Sequence, residues 1–397
     1  MMAVSDQRAT TVTSVPWWND RRIRAVLYQV VVLAGVALLV AFLVSNTLDN
    51  LSSRNIATGF GFLSREAGFA VSESVIPYNP ADSYFHVLIV GLLNTLKVSV
   101  LGIILASLIG TVVGVARLSR NWLVARFAAA YVEGLRNVPV LLQLFFWYSL
   151  ITEALPSPRQ ALNPLPGVFL SGRGLRFPEP VWGPTHAAMG VALLAGIAVA
   201  WGVARWARRR RERTGQLFPT GRVAAGLIVG LPLLAWLFGG APLAMDVPEL
   251  RGFNFSGGLS VTPEFTALLV GLVLYTGTFI AEIVRGGILA VAHGQTEAGL
   301  ALGLSRGQVL RLIVLPQAIR VIIPPLTSQY LNLTKNSSLA VAIGFPDLVS
   351  TANTAINQTG QAVEGIAVIM AVYLTVSLSI STFMNWYNRR IALKGAR

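Results

Sequence analysis

Residues 286–318 read GGILAVAHGQTEAGLALGLSRGQVLRLIVLPQA, a long connection between two apolar runs that carries little charge. Helical spacing places Ala298, Ala301, Leu302 and Ser305 on one face of a short helix. Gly303 and Gly307 interrupt that pattern, and Val309, Leu310, Leu312 and Ile313 open a second apolar helix that Pro316 ends or bends. Helix, glycine turn and second helix together predict a compact knob at a membrane surface. A plainer reading of the same stretch is an amphipathic hairpin that touches lipid only.

Outward from this connection the chain is a series of apolar runs. Of its 397 residues 54% are hydrophobic and 12% charged, half the charge that coats a soluble domain, so the chain is read as an integral, all-α membrane protein. A helix needs about 20 apolar residues to cross about 30 Å of hydrocarbon. Eight segments qualify: 25–45, 86–116, 138–155, 187–206, 223–244, one from Phe265 to Glu282 and Arg285, 319–344, and 365–387. The first follows Arg21, Arg22 and Arg24, like a signal peptide, but it is too long for an h-region and no A-x-A site follows, which predicts a retained anchor. Segments 46–85 and 156–185 are rich in Gly, Pro, Ser and Asn and predict irregular external loops with room for short interfacial helices.

The net charge of +14 comes from 31 Lys and Arg against 17 Asp and Glu. With both termini in the cytoplasm, 22 of those cations fall on inner tails and loops and 6 outside, as the positive-inside rule expects. The densest run, Arg208, Arg209, Arg210, Arg211, Glu212 and Arg213, sits between two spans, where it reads as an orientation signal in contact with anionic lipid rather than a nucleic-acid site. Absence of cysteine excludes disulfides and thiol chemistry, and isolated His86, His186 and His293 suggest no metal site. No cofactor is expected.

The central connection carries a specific resemblance. Glu297-Ala298-Gly299, then Gly303, then Ile313 and Leu315-Pro316 at the expected spacing resemble the cytoplasmic "EAA" loop of ABC importer membrane subunits, with Gly299 in place of the second alanine. The resemblance implies that residues 289–316 form the coupling helix, docking on a separate ATPase subunit through Glu297, Ala298, Gly299, Gly303, Leu304, Ser305 and Arg306. Thr278–Gly287, Tyr131–Pro139 with Gln143–Phe146, and Gly91–Ser99 resemble permeases for polar amino acids. The anchor, the GFGFLSREAGF loop and the extra pair of spans look like the longer permease of a general L-amino-acid transport system. The implied architecture is a type I importer core of five helices in two parts, 86–155 and 263–390. A tail 1–24, the anchor 25–45, a periplasmic loop 46–85, an insertion 156–262 and a tail 391–397 complete it. The implied partners are a second homologous permease, two copies of an ATPase and a periplasmic amino-acid-binding protein, in a bacterial inner membrane.

No lysine stands in a G-x-x-x-x-G-K-[ST] setting, so the chain is not expected to hydrolyse ATP or to be an enzyme, and no catalytic residue is expected. A zwitterionic substrate needs polar partners at membrane depth. The seventh span offers Asn332, Thr334, Lys335, Asn336, Ser337 and Ser338, with Gln143, Tyr275 and Thr278 as weaker candidates. Lys335 is read as a substrate or gate contact, as the partner of a neighbouring subunit's acid, or as a snorkelling side chain, since a charge at the bilayer centre costs about 2.5–3.5 kcal/mol or more. Glu282 and Arg285, three apart, predict a structural pair. An ion-coupled secondary transporter or a channel acting alone is the alternative function.

Overall fold

The structure, a computed structural model, describes residues 21–53 and 58–391. Arg54 and the expected basic tails, apart from residues 21–24 and 391, lie outside them. Four helices come first: α1 (Arg21–Ser53), α2 (Tyr84–Ala116), α3 (Trp122–Arg136) and α4 (Val140–Ala154). Strands β1 (Leu162–Leu165), β2 (Val168–Ser171), β3 (Gly174–Phe177) and β4 (Glu179–Pro180) lead into α5 (Pro184–Thr214) and α6 (Thr220–Phe238). Strands β5 (Met245–Asp246), β6 (Glu249–Arg251), β7 (Asn254–Ser256) and β8 (Leu259–Val261) lead into α7 (Pro263–Leu289). The chain continues through α8 (His293–Ala301), α9 (Arg306–Val309), α10 (Leu315–Asn336), α11 (Leu348–Thr359) and α12 (Ala362–Ile391).

Seven helical segments among the described residues are long and apolar enough to cross a membrane, and α4 is a shorter apolar one. These are the eight expected spans. At 15 residues α4 reaches only about 22 Å. It meets α3 at a corner, Asn137-Val138-Pro139, where Pro139 supplies the fixed φ for a new helix start. The side chain of Gln143 closes this corner by donating to the carbonyls of Leu135 (2.8 Å) and Val138 (3.0 Å).

Helix α7 is the axis of the fold, with α2, α3, α4 and α10 packed around it. One core cluster joins Val98 of α2, Leu144 of α4 and Phe265, Leu268 and Leu272 of α7 with Ile343 and Phe345. A second joins Ala106, Ile280, Val284, Ala318, Ile322 and Leu333 farther along α7. Gly110 and Gly114 let α2 lie against α7, since a Cβ on Gly110 would stand 2.6 Å from Ile280 Cβ and one on Gly114 2.6 Å from the Ala281 carbonyl. Small residues at this spacing permit backbone approach that larger ones forbid.

Three expectations change. The 156–185 segment is not irregular: β1, β2, β3 and β8 form a four-stranded antiparallel sheet, with Leu175 opposite Val261, and β4–β5 and β6–β7 make two smaller ribbons. Strands of two to four residues, broken by Gly and Pro, leave no alternation to read in the sequence. The cap stands at the N-terminal end of α7, roughly 40 Å from the other end of that helix. The arginine run is not a loop but the last turns of α5, which continues to Thr214 until Gly215, at φ 68°, ends it. Finally, α1 runs to Ser53, past the expected loop start at 46, while the loop described from residue 58 stays irregular apart from a short 3-10 turn, Phe60–Ser64, and is anchored on α2 and α11 by the buried cluster of Phe62, Ala67, Tyr84, Val87 and Ala355.

Candidate coupling hairpin and transport path

Beyond Leu289 the chain turns through residues 290–292 into α8, then folds back through Gly303 to α9. Gly303 has φ 80°, a left-handed conformation that L side chains resist, so glycine belongs at this bend. Ser305 then starts α9 with a capping box: its Oγ accepts from Gln308 N at 3.3 Å, and its own N donates to Gln308 Oε1 at 2.8 Å. Residues 310–314 widen into a π-helical turn before α10. Pro316 follows that π-helical turn within a helical run that continues into α10, so it does not end the second helix; Gly307 lies inside α9, and Ser305 caps α9 rather than sharing a face of α8.

Gly299 is the buried residue of α8, and a Cβ there would come within 2.7 Å of Ile313 Cδ1 and 2.9 Å of Val309 Cγ2. The hairpin is thus closed by an interlock at one small residue. Its other face is open. Glu297 and Ala298 are exposed, as are Leu302, Ser305 and Arg306, while Leu304 is half-buried. Glu297 Oε1 lies 3.0 Å from His293 Nδ1, one turn earlier. Glu297 and Arg306 both line a cleft of about 830 Å³ that Leu118 and Arg120, beyond α2, close from the far side.

One carboxylate fixes the end of α2 to α7 above this hairpin. Glu282 receives Arg285 Nε on Oε2 at 3.0 Å and Arg117, the C-cap residue of α2, on Oε1. The sequence pairing of Glu282 with Arg285 captures half of this clamp. Arg117, 165 residues away, carries no local signal.

The polar residues of the seventh span divide. Thr334 and Ser337 are buried and bond to the carbonyls of Tyr330 (2.9 Å) and Thr334 (2.7 Å), and Ser338 bonds to the Lys335 carbonyl at 2.7 Å. Thr278 likewise donates to the Tyr275 carbonyl (2.7 Å), and the half-buried Tyr275 ring packs edge-on against Phe279. Gln143 is occupied at the α3–α4 corner, so it is not brought together with the α10 residues. Asn332 and Lys335, three apart, are exposed on the outer surface of α10, with Asn336 half-buried. Glu73 escaped the sequence reading. This loop acid accepts from Lys97 Nζ at 2.5 Å and Thr262 Oγ1 at 2.6 Å, and its carbonyl accepts from Asn94 at 2.8 Å. An intramembrane lysine without a local partner was the available signal.

A span axis, a short interlocked hairpin at its end and an exposed glutamate on that hairpin can be placed beside known proteins. Residues 192–393 match the family described as the binding-protein-dependent transport system inner membrane component. The chain belongs to this family. The permease is 51% identical over 98% of its length, and 99% of the relative's, to YhdX, an amino-acid ABC transporter permease protein of Escherichia coli. It is 49% identical to the general L-amino acid transport system permease protein AapQ of Rhizobium johnstonii, covering 94% of each chain. It is 42% identical to the glutamate/glutamine/aspartate/asparagine transport system permease protein BztB of Rhodobacter capsulatus, covering 94% and 95%. The match to YhdX takes in α1 and the α5–α6 pair, so the long form of the permease is shared. The permease is a multi-pass membrane subunit of an ABC importer.

Proposed function

We propose that this permease is one of two homologous membrane subunits that together form the path of an ATP-driven importer for polar L-amino acids. A periplasmic binding protein delivers the substrate, and two copies of a cytoplasmic ATPase dock on the α8–α9 hairpins. Both termini then face the cytoplasm of a bacterial cell. Relatives named for amino-acid transport over nearly the full chain support the substrate class. The observation that carries the docking is Glu297: it is exposed on a hairpin whose opposite face is locked by Gly299 against Val309 and Ile313.

A hairpin so joined moves as a unit. Displacement of α8 by an ATPase passes into α7, which runs through both core clusters, on one side and into α10, which holds part of the second, on the other. This is a two-state element biased by ligand at one end. Lys335 and Asn332, exposed on α10, are the polar groups this movement presents to the partner permease or the substrate.

Co-reconstitution with the cognate ATPase and binding protein tests the reading. Glu297→Arg should leave the subunit inserted and cut ATP-dependent uptake at least about tenfold, the loss of one charge-assisted contact. Uptake that persists in proteoliposomes without ATP would show a self-sufficient transporter and overturn it.

A further inference from the structure

Helix α5 and its partner α6 pack chiefly on each other, away from the α7 axis. The side of α5 that faces α6 is marked by its buried small residues, Gly196, Ala200 and Ala207. A Cβ on Gly196 would stand 2.8 Å from the Leu227 carbonyl, so the contact is backbone-close. With about 100° of rotation per residue, Arg205, Arg208, Arg209 and Arg213 lie on sides of α5 turned away from Ala207. All four are exposed, and among the described residues none of them forms an ion pair.

Depth on the helix adds a second fact. Residues 184–204 hold no charged side chain and span about 31 Å, the thickness of the hydrocarbon layer, so Arg205 falls where headgroups begin. The arginines alternate with aromatic rings at that level. Arg205 lies over Trp201 (5.4 Å to the ring centre) and Arg210 over Trp206 (5.3 Å). Trp206 meets Phe218 edge-on, and Arg210 Nη2 donates to Gln216 Oε1 at 2.8 Å, which ties the α5–α6 turn to the helix end. Trp at the interface and Arg above it form an arrangement suited to a phosphodiester beneath a sugar or glycerol and above an acyl chain.

We infer that the C-terminal turns of α5 bind the headgroup of an anionic phospholipid in the leaflet opposite the β-cap, with Arg205, Arg208, Arg209 and Arg213 around the phosphate and Trp201, one turn before Arg205, at the glycerol level. An orientation signal needs only charge; this site adds ring stacking and guanidinium forks that match phosphate oxygens in pairs. It anchors the arm independently of how the hairpin engages an ATPase.

The test is native mass spectrometry of the full-length chain in detergent with phosphatidylglycerol or phosphatidylcholine of equal acyl length. The wild-type chain should retain phosphatidylglycerol by about tenfold or more over phosphatidylcholine, since each basic residue at a surface contributes about 1 kcal/mol. The R205Q/R208Q/R209Q/R213Q variant should bring that ratio near one, and the corresponding all-Lys variant, with charge kept but the guanidinium forks removed, should retain less phosphatidylglycerol than the wild type. Because the chain has no cysteine, a single Gln216→Cys reports the side on which the turn lies in each variant. A wild-type ratio near one, or an all-Lys variant that retains as much phosphatidylglycerol as the wild type, overturns the site. Loss of ATPase retention in the Gln variant with its lipid preference unchanged would do so as well, in favour of a protein contact.

Discussion

Lys97 of α2 and Glu73 of the preceding loop meet at 2.5 Å, with the Glu73 side chain 8% exposed and that of Lys97 35% exposed. The ammonium also lies 4.4 Å from the centre of the Phe265 ring at the start of α7, and Thr262 caps that helix while donating to the same carboxylate. One acid therefore ties the external loop to two core helices. Removing Glu73 leaves a cation without its partner beside an aromatic face. Glu73→Gln should lower stability by about 1–3 kcal/mol, less than a fully buried pair because Lys97 retains some water. The double variant Glu73→Gln with Lys97→Met should recover part of it. Melting of the detergent-solubilised chain in a double-mutant cycle checks this, and additive losses would dismiss the coupling.

Close approach of α2 and α7 gives a second expectation. Gly110→Ala should cost about 1–3 kcal/mol, because the new methyl meets Ile280 Cβ and the Gly277 carbonyl, neither of which is the end of a flexible chain. Gly190→Ala in α5, with nothing within 4 Å of its Cβ, should be neutral or stabilising by up to about 1 kcal/mol. Equal melting temperatures for the two variants would mean that the helices do not need this contact.

The Glu282 clamp predicts an order. The Arg117 side chain is 14% exposed and that of Arg285 36%, and Arg285 is only three residues from Glu282 on one helix. Arg285→Gln should cost a few tenths of a kcal/mol, as for an exposed pair. Arg117→Gln should cost about 1 kcal/mol, since Glu282 keeps Arg285, and Glu282→Gln about 1–3 kcal/mol, since it leaves the largely buried Arg117 without its acid. Thermal denaturation of the three single variants reads the order directly; a larger loss for Arg285→Gln would place the clamp within α7 alone.

The sequence carried the spans, the hairpin and half of the clamp because each has a short-range signature: apolar length, a glycine followed by a capping serine, and acid and base three apart. What it hid was held by distance or by punctuation. Arg117 reaches Glu282 and Glu73 reaches Thr262 across 165 and 189 residues, and periodicity sees neither. The cap strands are two to four residues long, too short to alternate visibly between Gly and Pro. Composition marks the hydroxyls of the seventh span but does not show that Thr334, Ser337 and Ser338 each bond to a carbonyl of the preceding turn. The arginine run resembled a loop because charge was taken for a boundary, when a helix with basic residues in its last turn satisfies its own dipole.

The hairpin itself separates stability from coupling at two glycines. Gly303 has open space around its Cβ position, so substitution there acts through the backbone alone: at φ 80° alanine should cost about 1 kcal/mol and asparagine less, since Asn tolerates the left-handed region. Gly299 has an ordinary helical backbone but faces Ile313 Cδ1 and Val309 Cγ2. Alanine there needs a small shift of the flexible Ile313 end and of the stiffer Val309 Cγ2, whereas leucine must push α8 off α9 and the π-helical turn. The expected order of ATP-dependent uptake in the reconstituted importer is wild type, Gly299→Ala, Gly303→Asn, Gly303→Ala, Gly299→Leu. ATP hydrolysis stimulated by loaded binding protein should fall in the same order, because a displaced α8 carries Glu297 with it. If Gly299→Leu retains stimulated hydrolysis and uptake at wild-type levels, the interlock with Ile313 is not what transmits movement from the hairpin to α10.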